Sequence, residues 1–554
     1  MKRFLLPLIL AFLVIPAWGE FYYQDDPEVL TLIHLSRRMG KVLPFSSFPV
    51  HGSDLLDFAD SLYFSKAEKS INETDRDMLE DLILKLEKQK EGEILIKGGL
   101  AAAYEHRFST GAFMLGEEDL PDAIDVHRAY LDFSPVLSLN AAAGTFNGLY
   151  VGGQIDIRPK WTDNFSPMNN FLTGFSFAYD MVKRGILAWN GNYINLFFGR
   201  DTVHWGNPEG SSLYPSALLP HLDRLSMNVP LGPFSFDYML ASIMPKRSDG
   251  KDVDDVVTPK PGEPPLGPYF GFMKENDKGN PSIILMAAHR FQWNFGMVKA
   301  GIGGTIVYAR PNNQFTITDF LPIIIYHNSD SVPNNLAMIV DAEWTIIPGL
   351  SLSAMFGVDD INGNKIGIPD DEVPTIPGAL LQLHYSAASP NLFQSYMFEA
   401  GYTHYLWGNF EWDDNYSNWY GVYLARAIYR WTIDKSAVLL PLTSPYGPGA
   451  LWGKFNANFE IPKYNIQTGA ELLFLLKNSK VNLIDTPYKT DDGLNSFDMW
   501  YFSIDLPFYW TWRFLKFTFS PALLFSSEGN AFECTLGVRY TLEGSRFFST
   551  HRRK

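Results

Sequence analysis

The segment from Trp407 to Tyr420 has the most distinctive chemistry in the chain, because aromatic and acidic residues are interleaved along it. Aromatic rings cover the C–H faces of a sugar, while carboxylates and amides bond to its hydroxyls. We therefore predict that any glycan contact lies in this segment, with an aromatic girdle around an external loop as the simpler alternative. The candidate glycan-binding residues are Trp407, Trp412, Asp413, Asp414 and Trp419.

A second group of residues has the types that hydrolysis needs. Asp201, His204 and either Ser211 or Ser212 lie close together in the sequence. A triad depends on nucleophile–base–orienter geometry, which sequence proximity does not supply, and no Gly-x-Ser-x-Gly elbow surrounds these serines. We predict no catalytic residue here, and interpret the group as a strand-end turn in which Arg200 pairs with an acidic group of the lumen.

The sequence predicts neither a metal site nor another cofactor. Its 11 histidines are scattered, without His-x-x-x-His or Cys/His ligand spacing. The segment 359–364 superficially resembles a calcium loop but lacks the alternating Asp ligands and the later Glu. The single Cys534 excludes an intramolecular disulfide. A net charge of −16 argues against nucleic acid as a partner, which would require a basic face.

The N-terminus predicts export. Lys2 and Arg3 precede an apolar run from Phe4 to Ile15, after which the small residues Ala17 and Gly19 flank the bulkier Trp18. This is the pattern of a secretory signal peptide over residues 1–19. The apolar run is shorter than the roughly 20 residues that a membrane-spanning helix needs.

Residues 20–92 have a helical period. Three short amphipathic segments begin near Pro27, Ser53 and Thr74, and the last start resembles a capping box. Helices this short cannot bury their apolar stripes alone, so they must pack on each other or on a barrel mouth. We expect a periplasmic helical segment rather than a separate domain.

From residue 93 to 544 a period of two replaces the helical one. In the best example, Phe532, Leu536, Val538 and Tyr540 alternate with Glu533 and Arg539. The first four are predicted to face lipid and the two charged residues the lumen. About 16 to 20 candidate strands predict an all-β fold, a large transmembrane antiparallel β-barrel. A soluble sandwich would share the alternation, and a propeller is disfavoured because no repeat is visible.

The connections between these strands are unequal. Long polar stretches at 246–280, 359–377 and 477–495 read as external loops, since short turns normally lie on the periplasmic side. A basic tail at 545–554 follows the last strand. The aromatic content of 15% fits interfacial girdles.

One motif resembles a known family. Phe198 to Asn207, followed by Gly210 to Leu213, looks like the Gly-Arg-Gln…Trp-Gly-Pro-Gly…Gly-Ser-Leu pattern of the Wzi-like outer-membrane capsule-assembly family. Asp201 stands where that pattern has Gln, and Asn207 where Pro or Gly is common. The residues that carry the resemblance are Gly199, Arg200, Trp205 and Gly206.

The resemblance implies an 18-stranded barrel with periplasmic helices and a lectin-like role in holding capsular polysaccharide. We therefore expect a non-enzymatic outer-membrane protein whose partners are outer-membrane lipid and surface polysaccharide; the oligomeric state stays open. A diffusion channel is the alternative, because lumen Arg and Glu side chains suit the passage of small solutes. An outer-membrane hydrolase is a third hypothesis.

Overall fold

The computed structural model describes most of the chain. The described residues are 21–65, 72–91, 94–111, 134–144, 148–159, 175–176, 182–191, 193–207, 209–216, 219, 221–243, 283–310, 316–322, 334–361, 374–408, 411–414, 418–421, 425–429, 437–479, 481 and 496–548. The predicted signal peptide and most of the long polar stretches therefore lie outside them. No helix in these ranges combines the length and apolar character that crossing a membrane requires.

Eighteen antiparallel strands form one closed barrel, as predicted. In chain order, β1 to β18 are Ile94–Thr110, Leu137–Gly144, Leu149–Pro159, Val182–Asn190, Asn195–Asp201, Leu222–Leu231, Phe234–Ser242, Ile283–Asn294, Val298–Arg310, Asn334–Ile347, Leu350–Asp360, Ile376–Ser389, Leu392–Thr403, Ala450–Ile461, Ile466–Lys477, the interrupted strand Met499–Asp505 with Phe508–Trp512, Leu515–Ser526, and Gly529–Phe548. Each strand pairs with its neighbours in the sequence. The short strand Phe175–Ser176 pairs with the last two residues of β3.

The barrel closes between its first and last strands. β18 pairs with β1 from Phe532 opposite Thr110 to Phe548 opposite Ile94. Closure gives every strand two partners, so no edge is left with unpaired backbone groups.

The two ends of the barrel differ in their connections. At one end, turns of two to four residues join strand pairs, such as 232–233 between β6 and β7 and 191–194 between β4 and β5. At the other end the connections are mostly long, including 243–282 and 404–449. We call these the turn end and the loop end.

The wall follows the predicted alternation. Phe532, Leu536 and Tyr540 on β18 are 41%, 43% and 38% exposed on the outer face, whereas Glu533 between them is 5% exposed. Glu533 and Arg539 line one cavity inside the barrel. The predicted outer and inner faces of this strand are therefore confirmed.

Five of the six outward-facing tryptophans in the described ranges lie near the turn end, and Trp500 lies near the loop end. Trp189, Trp293, Trp344, Trp510 and Trp512 are all 40% or more exposed, and each lies within a few residues of the turn end. Amphipathic aromatic rings favour the membrane–water interface. This half-girdle places an interface at the turn end.

Three helices precede the barrel, α1 at Pro27–Arg38, α2 at Gly52–Tyr63 and α3 at Glu73–Glu91. Their starts differ in part from those predicted: α3 is capped by Asn72, whose side chain accepts from the Asp75 amide at 2.8 Å, not by Thr74. Asn is as good an N-cap as Ser or Thr because its side-chain oxygen also reaches the amide.

The described residues 21–91 form a unit that we call the plug. Its helices share one apolar cluster, in which Val29, Leu32, Leu56, Ala59 and Leu79 are at most 1% exposed. The helices thus bury their stripes on each other, one of the two arrangements expected. Whether the plug folds without the barrel stays a prediction.

The plug also docks inside the turn end. Its backbone bonds to two of the tight turns, from the Val42 amide to the Gly296 carbonyl at 2.8 Å and from the Gly349 amide to the Arg37 carbonyl at 2.9 Å. Two further short pairings fix the chain around it, Phe21–Tyr22 with Val50–His51 and Ser47–Phe48 with His204–Trp205.

We predict that Val538→Arg impairs barrel assembly far more than Thr535→Arg. Val538 is on the outer face, where an arginine near the bilayer middle costs about 2–4 kcal/mol, while Thr535 lines the interior. Heat-modifiable migration on gels measures the assembled fraction. Equal assembly of the two variants would contradict the assigned faces.

Candidate functional site

The family-like motif begins at the end of β5. Gly199 has a φ of +128°, and a Cβ there would lie 2.1 Å from the Gly185 carbonyl oxygen on β4. Both the conformation and the close backbone approach require glycine. The strand ends two residues later, at Asp201, as the sequence predicted.

Arg200 pairs with an acid, but not inside the lumen. Its Nε and Nη2 donate to the two carboxylate oxygens of Asp223 on β6, at 2.6 and 2.8 Å. Strand alternation places Arg200 on the face of the outward Phe198, which is 63% exposed. The prediction that Arg200 pairs with an acidic group of the lumen is therefore wrong. Successive residues of a strand point to opposite faces, so Arg200 points outward while its neighbour Asp201 points inward.

Asp201 takes the inward position instead and anchors the plug. It is fully buried and accepts from the Tyr23 hydroxyl at 2.6 Å and from the Thr202 amide at 2.8 Å. The Arg184 Nε lies 3.0 Å from the same carboxylate. At the position where the resemblance departs from the family pattern, this chain thus has a contact between plug and wall.

Trp205 and Gly206 turn the chain back into the lumen. Trp205 is 3% exposed and pairs with Ser47 of the plug. Gly206, at φ +96°, donates its amide to the Ser46 carbonyl at 2.7 Å. The motif thus joins the wall to the plug, and its side chains are buried.

The residues of the suspected triad have separate partners. His204 Nε2 contacts the Asn207 carbonyl, and burial lowers the pKa of His204 to about 4. The Ser211 hydroxyl donates to Glu399 at 2.6 Å, and the Ser212 hydroxyl donates to the Trp205 carbonyl at 2.6 Å. These contacts, with those of Asp201, hold the connection 202–221 between β5 and β6 inside the barrel; we call it the inserted loop. They do not align a nucleophile with a base.

A buried charge network that the sequence did not indicate lies inside the barrel, towards the turn end. Arg37 at the end of α1 contacts Glu209 and lies 3.1 Å from Glu343 on β10. Lys299 on β9 lies 3.1 Å from the other Glu343 oxygen. Arg37, Glu343 and Lys299 are each at most 2% exposed in their side chains. Plug, inserted loop and wall meet in this network.

The network also fixes charge states. Burial would raise the pKa of Glu209, but Arg37 outweighs it and lowers that pKa to about 2. Burial likewise lowers the pKa of His34 to about 4, so its imidazole is neutral at pH 7. A charged Glu209 is thereby held against Arg37 over the physiological range.

Glu399 on β13 accepts several hydrogen bonds that fix the inserted loop. Its oxygens accept from the Ser211 amide at 2.9 Å, from Gln382 Nε2 at 2.8 Å and from Trp452 Nε1 at 2.7 Å. The Ser444 amide of the 404–449 connection also donates to the Ser212 carbonyl at 3.2 Å. The inserted loop is therefore held from the wall and from the loop end.

Trp407 is not exposed to a ligand. It is 1% exposed, donates from Nε1 to the Thr443 hydroxyl at 3.1 Å, and lies against Gly357 and Gly378 on β11 and β12. A Cβ at either glycine would come within 2.8 Å of its ring. Trp407 is therefore a packing residue, and we remove it from the candidate glycan site.

The other candidates lie on a hairpin at the loop end. Strands Glu411–Asp414 and Asn418–Gly421 pair, with Trp412 opposite Tyr420 and Asp413 opposite Trp419. Alternation puts positions 412 and 419 on opposite faces of this ribbon. The hairpin places the four positions on two short paired strands. Their side chains lie outside the described part, so the glycan site stays a prediction.

A crevice remains along the wall on the far side from the plug. It has a volume of about 470 Å³ and is lined mainly by polar and charged side chains of β1 and β15 to β18. Among its lining are Glu105, Arg107, Lys516 and Glu533. No described plug residue lines it.

Metal chemistry has no support in the described ranges, where no three His, Cys, Asp or Glu residues are placed to hold an ion. Asp359, from the calcium-like segment, accepts from the Gly408 amide at 2.9 Å. The residues 362–364 of that segment lie outside the described part.

The closed 18-stranded wall, the outward apolar face and the interfacial tryptophans define an outer-membrane β-barrel, here with an N-terminal plug. The solved structure of Wzi from Escherichia coli, described as an outer-membrane protein involved in group 1 capsule assembly and a carbohydrate-binding β-barrel, superposes with a TM-score of 0.56. The identity is 12%, over 94% of this chain and 99% of that one. The likeness to Wzi predicted from the motif is confirmed at the level of the fold.

Other solved barrels are similar at lower scores. OccK9 (OpdG) and OccK5 (OpdH) from Pseudomonas aeruginosa reach TM-scores of 0.39 and 0.38, at 11% and 10% identity. Each match covers 82% of this chain and 98% or more of the other. No protein-family model matches the chain, and neither does any curated protein.

We predict that Arg37→Leu loosens the plug. Removing one partner from a buried charge cluster leaves Glu209 and Glu343 under-compensated, which typically costs 3–5 kcal/mol. Thermolysin cleavage of the plug in the detergent-solubilised protein should accelerate. Lys85→Ala is the matched control, since Lys85 is 60% exposed in its pair with Glu28 and such pairs contribute at most about 1 kcal/mol. Unchanged cleavage of the Arg37 variant would refute the network's role.

Proposed function

We propose that this chain is a non-enzymatic outer-membrane protein that binds or helps assemble surface polysaccharide at its loop end. The observation that carries the proposal is the fold match, over nearly the whole chain, to a barrel described as carbohydrate-binding and involved in capsule assembly. The buried networks add support, because they hold the plug and the inserted loop against the inner wall, inside the space that a wide pore would need.

The proposed orientation follows from the connections. Short turns lie on the periplasmic side of outer-membrane barrels and long loops on the external side. The turn end, with the plug, is accordingly assigned to the periplasm, and the hairpin 411–421 to the cell surface. A glycan site on that hairpin would meet polysaccharide outside the cell.

We predict that the combined change Trp412→Ala and Trp419→Ala weakens polysaccharide retention at least tenfold. Sugar stacking uses ring area, and truncating an aromatic anchor typically costs more than about 1–2 kcal/mol of binding. Cell-bound polysaccharide is measured while heat-modifiable migration confirms folding. Because positions 412 and 419 occupy opposite ribbon faces, the single variants identify which face binds.

Trp500→Ala is the matched control. This tryptophan lies near the loop end of β16 on the outer face, 41% exposed, so its loss removes the same ring area from the girdle. If the double variant retained as much polysaccharide as the parent, the hairpin would be only part of an aromatic girdle. The proposed polysaccharide binding would then have no identified site.

A diffusion channel is the second candidate, and the crevice beside β15 to β18 is the observation that favours it. If solutes pass there, the protein conducts weakly in planar bilayers and Thr518→Trp lowers the conductance at least fivefold, since Thr518 lines the crevice. Phe519→Trp, on the outer face of the same strand, is the control. A parent without conductance would remove this candidate.

A further inference from the structure

A cavity of about 180 Å³ lies between the plug and the wall at the turn end. Its lining combines rings with polar groups, among them Ser46, Phe48, Phe197, Trp205 and Arg224. The turn residues 232–233 also line it, so the cavity reaches the turn end of the barrel. One water needs only about 10–15 Å³ of such volume, so the space admits a larger molecule.

Arg224 is the unusual member of this lining. Its residue is 6% exposed, and its guanidinium carbon lies 3.9 Å above the Phe197 ring. Nη1 contacts the Ser226 hydroxyl. No described residue accepts from Nε or Nη2. The buried carboxylate of Asp201 attracts the Arg224 guanidinium electrostatically, but it makes no hydrogen bond with Nε or Nη2.

Two other arginines of this chain show what those two nitrogens bind. Nε and Nη2 of Arg200 donate to both oxygens of Asp223, and Nε and Nη2 of Arg290 donate to both oxygens of Asp341, at 3.1 and 2.6 Å. This planar pair of N–H groups matches a carboxylate in two-point contact. Arg224 lines the cavity, and no described carboxylate is hydrogen-bonded to the same pair of its nitrogens.

We propose that the cavity binds one carboxylate-bearing sugar unit, a uronic acid, with its carboxylate on Nε and Nη2 of Arg224. The choice of a sugar rests on the proposed function, whereas the choice of a carboxylate rests on the geometry. The rings of Phe48 and Trp205 offer apolar faces to a sugar. The Ser46 hydroxyl, 3% exposed and without a described partner, offers a bond to a sugar hydroxyl.

Two acidic residues, Asp54 and Asp237, share the lining. Asp237 accepts from Asn228 Nδ2 at 2.8 Å. Burial raises the pKa of Asp54 to about 7, so its carboxyl is mostly protonated at pH 6. A protonated Asp54 adds a hydrogen-bond donor to the lining.

Titration calorimetry of the full-length protein in detergent at pH 6 tests the proposal, with glucuronate as the probe. Glucuronate should bind at least tenfold more tightly than glucose, which has the same ring without the carboxylate. R224Q should weaken glucuronate binding at least tenfold, and R224K, which keeps the charge but loses the two-point contact, should fall between. K463Q, a charge loss at a turn outside the cavity, should leave affinity unchanged.

Three outcomes would overturn the site: no glucuronate binding by the parent, equal binding by R224Q in a normally migrating barrel, or tighter binding of inorganic phosphate than of glucuronate. The last would assign the cavity to a phosphate instead. This test is separate from the hairpin test, because it measures a monosaccharide in solution and not polysaccharide on cells. A hairpin variant that loses retention but keeps glucuronate binding distinguishes the two sites.

Discussion

A closed sheet of 18 strands encloses more space than its own inward side chains can fill, and the interior of this protein follows from that constraint. The chain fills the space from both directions, with the plug entering at the turn end and the loop 202–221 folding inward from β5. Because the wall faces lipid on its outside, its inner face is polar, and the filling elements must present polar partners to it. The result is an interior held by ions and hydrogen bonds, with one apolar cluster within the plug and smaller ones on the inner face of the wall.

The buried charges explain how short helices stay in place. Apolar packing is non-directional and sets the position of a helix only approximately. The ion pairs of Arg37 with Glu209 and Glu343 are specific, and they fix the position of α1 against the wall. Asp201 holds the start of the plug in the same way through Tyr23. The family-like motif supplies several of these contacts, since Asp201, Trp205 and Gly206 all face the plug. Its role in this chain is to join wall and plug.

The wall was predictable because alternation is a local property. Within a single strand such as β18, the alternating apolar residues Phe532 and Leu536 identify the face that meets lipid. The helices were predictable for a similar reason. The interior was not, because its contacts join residues far apart in the chain, as Arg37 and Glu343 do.

The same limit explains two errors. Arg200 was assigned to the lumen because nothing local fixes the register, and Trp407 was grouped with Trp412 although only tertiary contacts bury it. Arg224 had no sequence signal, since a lone arginine in a strand gives no hint of its partners.

The seam between β1 and β18 lies beside the crevice, away from the plug. The strands that grip the plug, from β4 and β5 to β12, all precede β18 in the chain. The barrel is therefore closed along one stretch of its wall and holds the plug on another.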